Sequence, residues 1–158
     1  MSKKKPNPDP DSAYDNDRED FGASRPLQRK QVVDMIRRKE SLVEADFRGS
    51  DLTGVVFDGV DLRNAKFAEA NLARASFRGA NLSGASFFGA SLKDASLEDA
   101  NLEEADFDYC WLDGVTFKGA KIRKAILPLK RIDLESVRES VRSGKKVQME
   151  PFNLEEDE

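Results

Sequence analysis

The chain has 158 residues, a formal net charge of −4, 35% charged residues, no histidine and one cysteine, Cys110. The missing histidine removes the commonest general base, the Ser-His-Asp and Cys-His nucleophile pairs and the imidazole metal sites, and one cysteine allows no internal disulfide. An acidic balance (pI about 5.1) without a basic stripe argues against nucleic-acid binding, and with no apolar run of about 18 residues no membrane association is expected.

Residues 1–26 are rich in Pro, Asp, Asn and Lys with little to bury, which predicts a tail without fixed structure. Lys3, Lys4 and Lys5 are not followed by the apolar stretch of a signal sequence, so a cytoplasmic location is expected. Residues 27–40 read as an amphipathic capping helix. Leu27, Val32, Val33, Met35 and Ile36 form its apolar side, and Arg29, Lys30, Arg37 and Arg38 are left for solvent.

From 41 to 129 the pattern changes to a period of five. Eighteen bulky apolar centres follow one another from Leu42 to Leu127, mostly as alternating Leu and Phe. Two residues before each centre sits a small residue, mostly Ala, and two residues after it sit eight of the ten glycines. Neither the 2.0 period of a strand nor the 3.6 of a helix puts these side chains on one face, so the chain must turn every five residues. The glycines mark the corners where a turn demands positive φ. Cys110 occupies one of the small slots and reads as a buried hydrophobe.

Residues 130–158 are expected to hold a second short helix and an acidic tail. Asp133 is suited to N-cap the helix and Gly144 to end it, with Leu134, Val137 and Val141 spaced three and four apart along one face. That face needs a partner, either the end of the array as a cap or a second copy of the chain as a dimer seam.

Ala70-Asn-Leu-Ala-Arg, Ala80-Asn-Leu-Ser-Gly, Ala100-Asn-Leu-Glu-Glu and Ala105-Asp-Phe-Asp-Tyr resemble the A-(D/N)-L-x-x consensus of the pentapeptide-repeat family. The resemblance implies an all-β fold, a right-handed quadrilateral β-helix with four pentapeptides per coil, closed here by short terminal helices. Stacking by twenty then groups the centres by type. Leu42, Leu62, Leu82, Leu102 and Ile122 form one ladder, and Phe47, Phe67, Phe87 and Phe107 form another.

A rod filled in this way leaves function to its outward positions. Carboxylate pairs such as Asp94/Asp99 and Glu98/Glu103 read as solvated acids, so no metal, cofactor or enzymatic activity is expected. Phe88, Tyr109 and Trp111 fall on outward positions near one edge, rimmed by Asp108 and Asp113, and aromatic residues with a charged rim are typical of protein-binding hot spots. A rigid, cytoplasmic, bacterial scaffold that binds a protein partner is the expected function, as a monomer or as a dimer joined by the C-terminal helix. The competing explanation for the three rings is that the terminal segment, with Phe152 and Leu154, folds back over them.

Some members of this family are acidic rods that look like duplex DNA and bind type II topoisomerases, which makes a DNA-mimicking gyrase regulator the alternative. Eight acids against one base lie between Lys93 and Asp113, but they encircle about one coil rather than run along a face. Residues 41–127 carry ten bases against fourteen acids, far sparser than two charges per about 3.4 Å of duplex. No loop interrupts the register.

Overall fold

The computed structural model describes residues 25–150. Nearly all of the tail expected at 1–26 lies outside those residues, as do Phe152 and Leu154. The first element is a helix, α1 (Arg29–Arg37), shorter than the 27–40 span that the apolar pattern suggests. Local hydrogen bonding sets both limits. The Gln28 N–H donates to the Gln31 side chain at 2.8 Å. Lys39 turns left-handed, with φ 55°, and the N–H groups of Lys39 and Glu40 return to the carbonyls of Ile36 and Met35, which satisfies acceptors of the last turn. Val32 is fully buried, Val33, Met35 and Ile36 are partly so, and Pro26 and Arg29 lie against the Gly49 and Gly54 corners of the first coil.

Beyond α1 the chain winds as a solenoid. Every fifth residue from Asp46 to Asp106 forms a parallel bridge with the residue twenty further on, beginning at Asp46–Lys66 and ending at Asp106–Ile126. Each coil therefore contains four pentapeptides. The strands expected of an all-β chain are reduced to isolated bridges, one residue per pentapeptide. Most of the remainder is a turn: the centre's carbonyl accepts from the N–H three residues on, as in Leu82–Ala85 at 3.0 Å. The second turn residue has φ near +60° at all seventeen positions from Glu44 to Lys124, the geometry of a type II turn.

Glycine supplies eight of those positions and other residues nine. At Gly114 and Gly119 a second constraint acts, because the carboxylates of Asp94 and Asp99, one coil earlier, occupy the space where a Cβ would stand. These two acids lie on the backbone of the next coil.

Two phenylalanine ladders share the interior. Rings of Phe47, Phe67, Phe87 and Phe107 stack at 4.8–5.0 Å, the spacing of hydrogen-bonded strands. Phe57 and Phe77 stack at 4.9 Å, and the two ladders meet edge to face at 5.8–6.3 Å. The centres are buried from Leu42 to Phe117, whereas Ile122 and Leu127, in the incomplete last coil, are only half-buried. Bridging stops at Ile126, short of the expected 129, and a turn closed by the Arg131 N–H on the Pro128 carbonyl redirects the chain.

The second helix, α2 (Leu134–Ser143), then closes the end. The Asp133 carboxylate accepts from the Ser136 N–H at 3.1 Å, and Gly144, with φ 79°, ends the helix. Val137 is fully buried within its own chain, Val141 packs half-buried against the core and Leu134 is half-buried. The helix also replaces a missing coil. The Ser140 hydroxyl accepts from the Phe117 N–H and the Val141 carbonyl from the Gly119 N–H, both at 3.0 Å. Ser140 is buried, so Ser140→Ala is expected to strand the Phe117 N–H and cost about 1–3 kcal/mol. Chemical denaturation measures this, and an unchanged midpoint would show that the hydroxyl does not hold the edge.

Candidate functional site

With Leu, Phe, Ala and the corner residues assigned to the frame, the outward positions one before, one after and two after each centre carry what remains. Phe88, Tyr109 and Trp111 are 43%, 71% and 39% exposed. The rings of Phe88 and Tyr109, on successive coils of one face, meet at 5.2 Å with an interplanar angle of 59°. Trp111 does not join them: among the described residues its ring contact is with Arg131, whose guanidinium carbon sits 4.4 Å over the indole. Twenty residues separate Trp111 from Arg131, so the cation lies where the next coil would have passed.

The expected rim also divides. Asp113 is engaged by the C-terminal segment, accepting from the Met149 N–H at 3.1 Å. Asp108 is half-buried on the face that carries the rings, its Oδ1 accepting from the Tyr109 N–H at 3.2 Å. Segment 147–150 runs back over the end of the array. It exchanges backbone hydrogen bonds with Gly114, Val115 and Arg131, and Met149 Sδ accepts from the Leu112 N–H. Phe152 and Leu154, through which a returning tail was expected to act, lie outside the described residues; among those described, Arg131 stands over Trp111 and also donates to the Glu150 carbonyl.

Sequence reading missed Ile126. It is 52% exposed and bridges Asp106, on the face that carries Phe88 and Tyr109. Counting twenty on from Asp106 would have found it.

Charge is also distributed unevenly around the acidic coil. Glu98, Glu103 and Glu104 each meet a base of a neighbouring coil, Arg78 at 3.2 Å, Arg123 at 3.5 Å and Lys124 at 4.0 Å. No ion pair to Asp106 or Asp108 is found among the described residues. The contrast with the first coil of the same face is direct. There Asp46 occupies the position of Asp106 and Arg48 the position of Asp108, and the pair is bidentate, Nε–Oδ1 2.9 Å and Nη2–Oδ2 2.7 Å. Those bonds from Arg48 hold the Asp46 carboxyl at about 2, below the usual carboxylate range. Asp61 and Arg63 repeat the arrangement on a neighbouring face. At 106/108 the chain has an acid where these two pairs have arginine, and the Asp106 carboxylate accepts instead from the Asp108 backbone N–H at 2.8 Å.

Tyr109 is unusual in its backbone as well. It takes the left-handed turn position with φ 57°, a conformation that costs a non-glycine residue about 1–2 kcal/mol. Tyr109→Gly relieves that strain but removes a ring contact worth about 0.5–1.5 kcal/mol, and the two effects offset. The expected result is a melting temperature within a few degrees of the parent, and a large loss would show that the ring is part of the frame.

Cys110, between Tyr109 and Trp111, points inward. It is buried, its thiol donates to the Phe87 carbonyl, and burial pushes the thiol far above its ordinary range. Iodoacetamide is therefore expected to leave the native protein unmodified at mildly alkaline pH and to label it fully in denaturant, as read by mass spectrometry. Labelling of the native form would contradict this burial. Among the described residues no group of three or more His, Cys, Asp or Glu could hold a metal ion, and no helix is long and apolar enough to cross a membrane.

Comparison with known proteins agrees with the winding of the chain. Residues 50–127 match a family model described as a pentapeptide repeat region. Among solved structures, a pentapeptide repeat protein of the Arabidopsis thaliana thylakoid lumen is 40% identical with a TM-score of 0.50, over 51% of this chain and 55% of that one. HetL, a pentapeptide repeat protein involved in heterocyst differentiation regulation from the cyanobacterium Nostoc sp. strain PCC 7120, is 36% identical with a TM-score of 0.54, over 55% of this chain and 40% of HetL. The chain thus spans about half of the first and less than half of the second. QnrB1, a plasmid-mediated fluoroquinolone resistance protein, is 24% identical with a TM-score of 0.29, covering 51% of this chain and 47% of that one, and carries no argument about partners. A search of curated proteins gave no significant match. With a register of five, bridges every twenty residues and a family match across the centre of the array, the chain belongs to the pentapeptide-repeat family.

Proposed function

We propose that this protein is a non-enzymatic, cytoplasmic scaffold that presents one face of a rigid rod to a protein partner. A right-handed, four-sided winding, as the family implies, is part of this reading. The observation that carries it is the Phe88–Tyr109 pair: two rings in contact with each other, exposed to solvent, on a solenoid whose phenylalanine centres are fully buried. Exposed aromatic clusters of this kind are favoured where a partner covers them. HetL's involvement in heterocyst differentiation regulation is compatible with a binding role and does not identify one here.

Affinity capture from the native cell tests the proposal, with Phe88→Ala and Tyr109→Gly compared against Trp111→Ala. The first two are expected to lose the captured partner at least tenfold with little change in melting. Trp111→Ala is expected to lower melting, through loss of the Arg131 contact, and to keep the partner. Equal capture by all three variants would end the reading. The gyrase alternative is less well supported, because three of the eight acids in the acidic coil are internally paired and the remainder do not run along one face. An unchanged supercoiling rate in excess protein is the expected result.

A further inference from the structure

Phe107 is the one centre of the array with an acid both immediately before and immediately after it. At Asp46/Arg48 and Asp61/Arg63 the residue before a centre and the residue after it form a carboxylate–guanidinium pair at 2.7–2.8 Å. Asp106 and Asp108 occupy the same two positions around Phe107, but both are acids. The Asp108 N–H donates to Asp106 Oδ1 at 2.8 Å, which keeps the two acids on one short stretch of surface, where a cation would be attracted by both. Beside them stand the contacting rings of Phe88 and Tyr109, and an aromatic face is attractive to a guanidinium. The chain already uses that chemistry once, with Arg131 over Trp111 in the same coil. An aromatic pair and two acids thus lie on one face of the rod, at a position that holds arginine in the first coil, and among the described residues no cation pairs with either acid.

We propose that the Asp106–Asp108 pair, beside the Phe88–Tyr109 rings, receives an arginine side chain from an extended segment of the protein partner. The proposal rests on the scaffold reading and adds the chemistry of the occupant. Arginine fits better than lysine, because its planar fork bonds two carboxylate oxygens and stacks on a ring at the same time. Residues two apart in an extended segment point the same way about 6.6 Å apart, enough to reach from one coil to the next, 4.8–5.0 Å away. An apolar residue two positions from the arginine therefore falls against Phe88. The chain's own segment 151–158 is a poor occupant on charge, since Glu155 to Glu158 are all acidic.

A phage-displayed library of random heptapeptides selected on the intact protein tests this. The expected pool is enriched in arginine at least threefold over the starting library, with an apolar residue two positions away. Asp108→Arg is the decisive variant: the chain tolerates Asp-x-Arg around two other centres, so the fold is expected to persist, and the introduced guanidinium fills the site from within. Asp108→Arg and Asp106→Asn are each expected to weaken the selected peptides at least tenfold. A pool without arginine enrichment, or one that binds Asp108→Arg unchanged, overturns the proposal. A purified protein that sediments as a dimer and is dissociated by Asp108→Arg overturns it too, by making a second copy the occupant. If the library fails while Tyr109→Gly still loses the cellular partner, the docking face stands without arginine. If arginine peptides bind while no ring variant affects any cellular partner, the site chemistry stands and the scaffold reading falls.

Discussion

Replacing Phe67 by alanine is expected to destabilise the rod by about 3–5 kcal/mol and to divide its unfolding into two steps. Phe67 lies at the junction of both ladders. Its ring stacks on Phe47 at 4.8 Å and on Phe87 at 5.0 Å, and meets Phe57 and Phe77 edge to face at 5.9 and 5.8 Å. Deleting it leaves a cavity bounded by four other rings, and the backbone cannot close on that cavity without losing the bridges that Lys66 makes on either side, to Asp46 and Ser86. In a solenoid each coil is held only by its neighbours, so a weak junction isolates the first coil and α1 from the rest. Trp111 is the sole tryptophan and lies near the opposite end. Its fluorescence therefore follows the C-terminal coils while far-ultraviolet dichroism follows all of them. The two signals are expected to coincide in the parent and to separate in Phe67→Ala, with dichroism falling first in denaturant. A single coincident transition, shifted by less than about 1 kcal/mol, would mean that the core relaxes into the space, against the behaviour of close-packed interiors.

Much of the frame was legible because the five-residue period is enforced by geometry at every position. A residue such as Leu82 or Ala85 has no alternative role, and counting by twenty places Phe67 over Phe47 without reference to coordinates. Corners were legible only where glycine marks them. At Glu69, Asp94 and Tyr109 the same left-handed turn is imposed on residues that do not favour it, since stacking on the coils above and below outweighs local preference. The ends were the least readable. Ser140, Val147 and Met149 have no period to announce them, and each matters only because a solenoid that stops leaves N–H groups without acceptors. The aromatic site was half legible. Phe88 and Tyr109 stand twenty-one residues apart and meet, but the separation of Trp111 from them depends on Arg131, which lies beyond the last repeat and so escaped a reading built on repeats.

Ending the chain after Leu129 is expected to cause the largest loss of all, and to make the protein associate rather than keep it monomeric. The missing segment supplies the acceptors for Leu112, Gly114, Phe117 and Gly119, through Met149 Sδ, the Val147 carbonyl, the Ser140 hydroxyl and the Val141 carbonyl. Those N–H groups turn to water in the truncated chain, so each lost hydrogen bond costs about 0.5–1.5 kcal/mol net. Burial of Ile132, Val137 and Val147 is lost as well. The exposed end then presents a row of donors beside an apolar cross-section, the arrangement through which sheet edges aggregate. This outcome separates the two roles that the sequence allowed for Leu134, Val137 and Val141. A dimer seam predicts that truncation converts a dimer to a monomer. A cap, with Val137 already buried in its own chain, predicts the reverse: an intact chain that sediments as one species and a truncated one that is less stable and forms higher assemblies. Sedimentation velocity on both chains, with thermal melting alongside, distinguishes them. A truncated chain that remains monomeric and melts with the parent would remove α2 from the frame and return its apolar face to the surface as an interface.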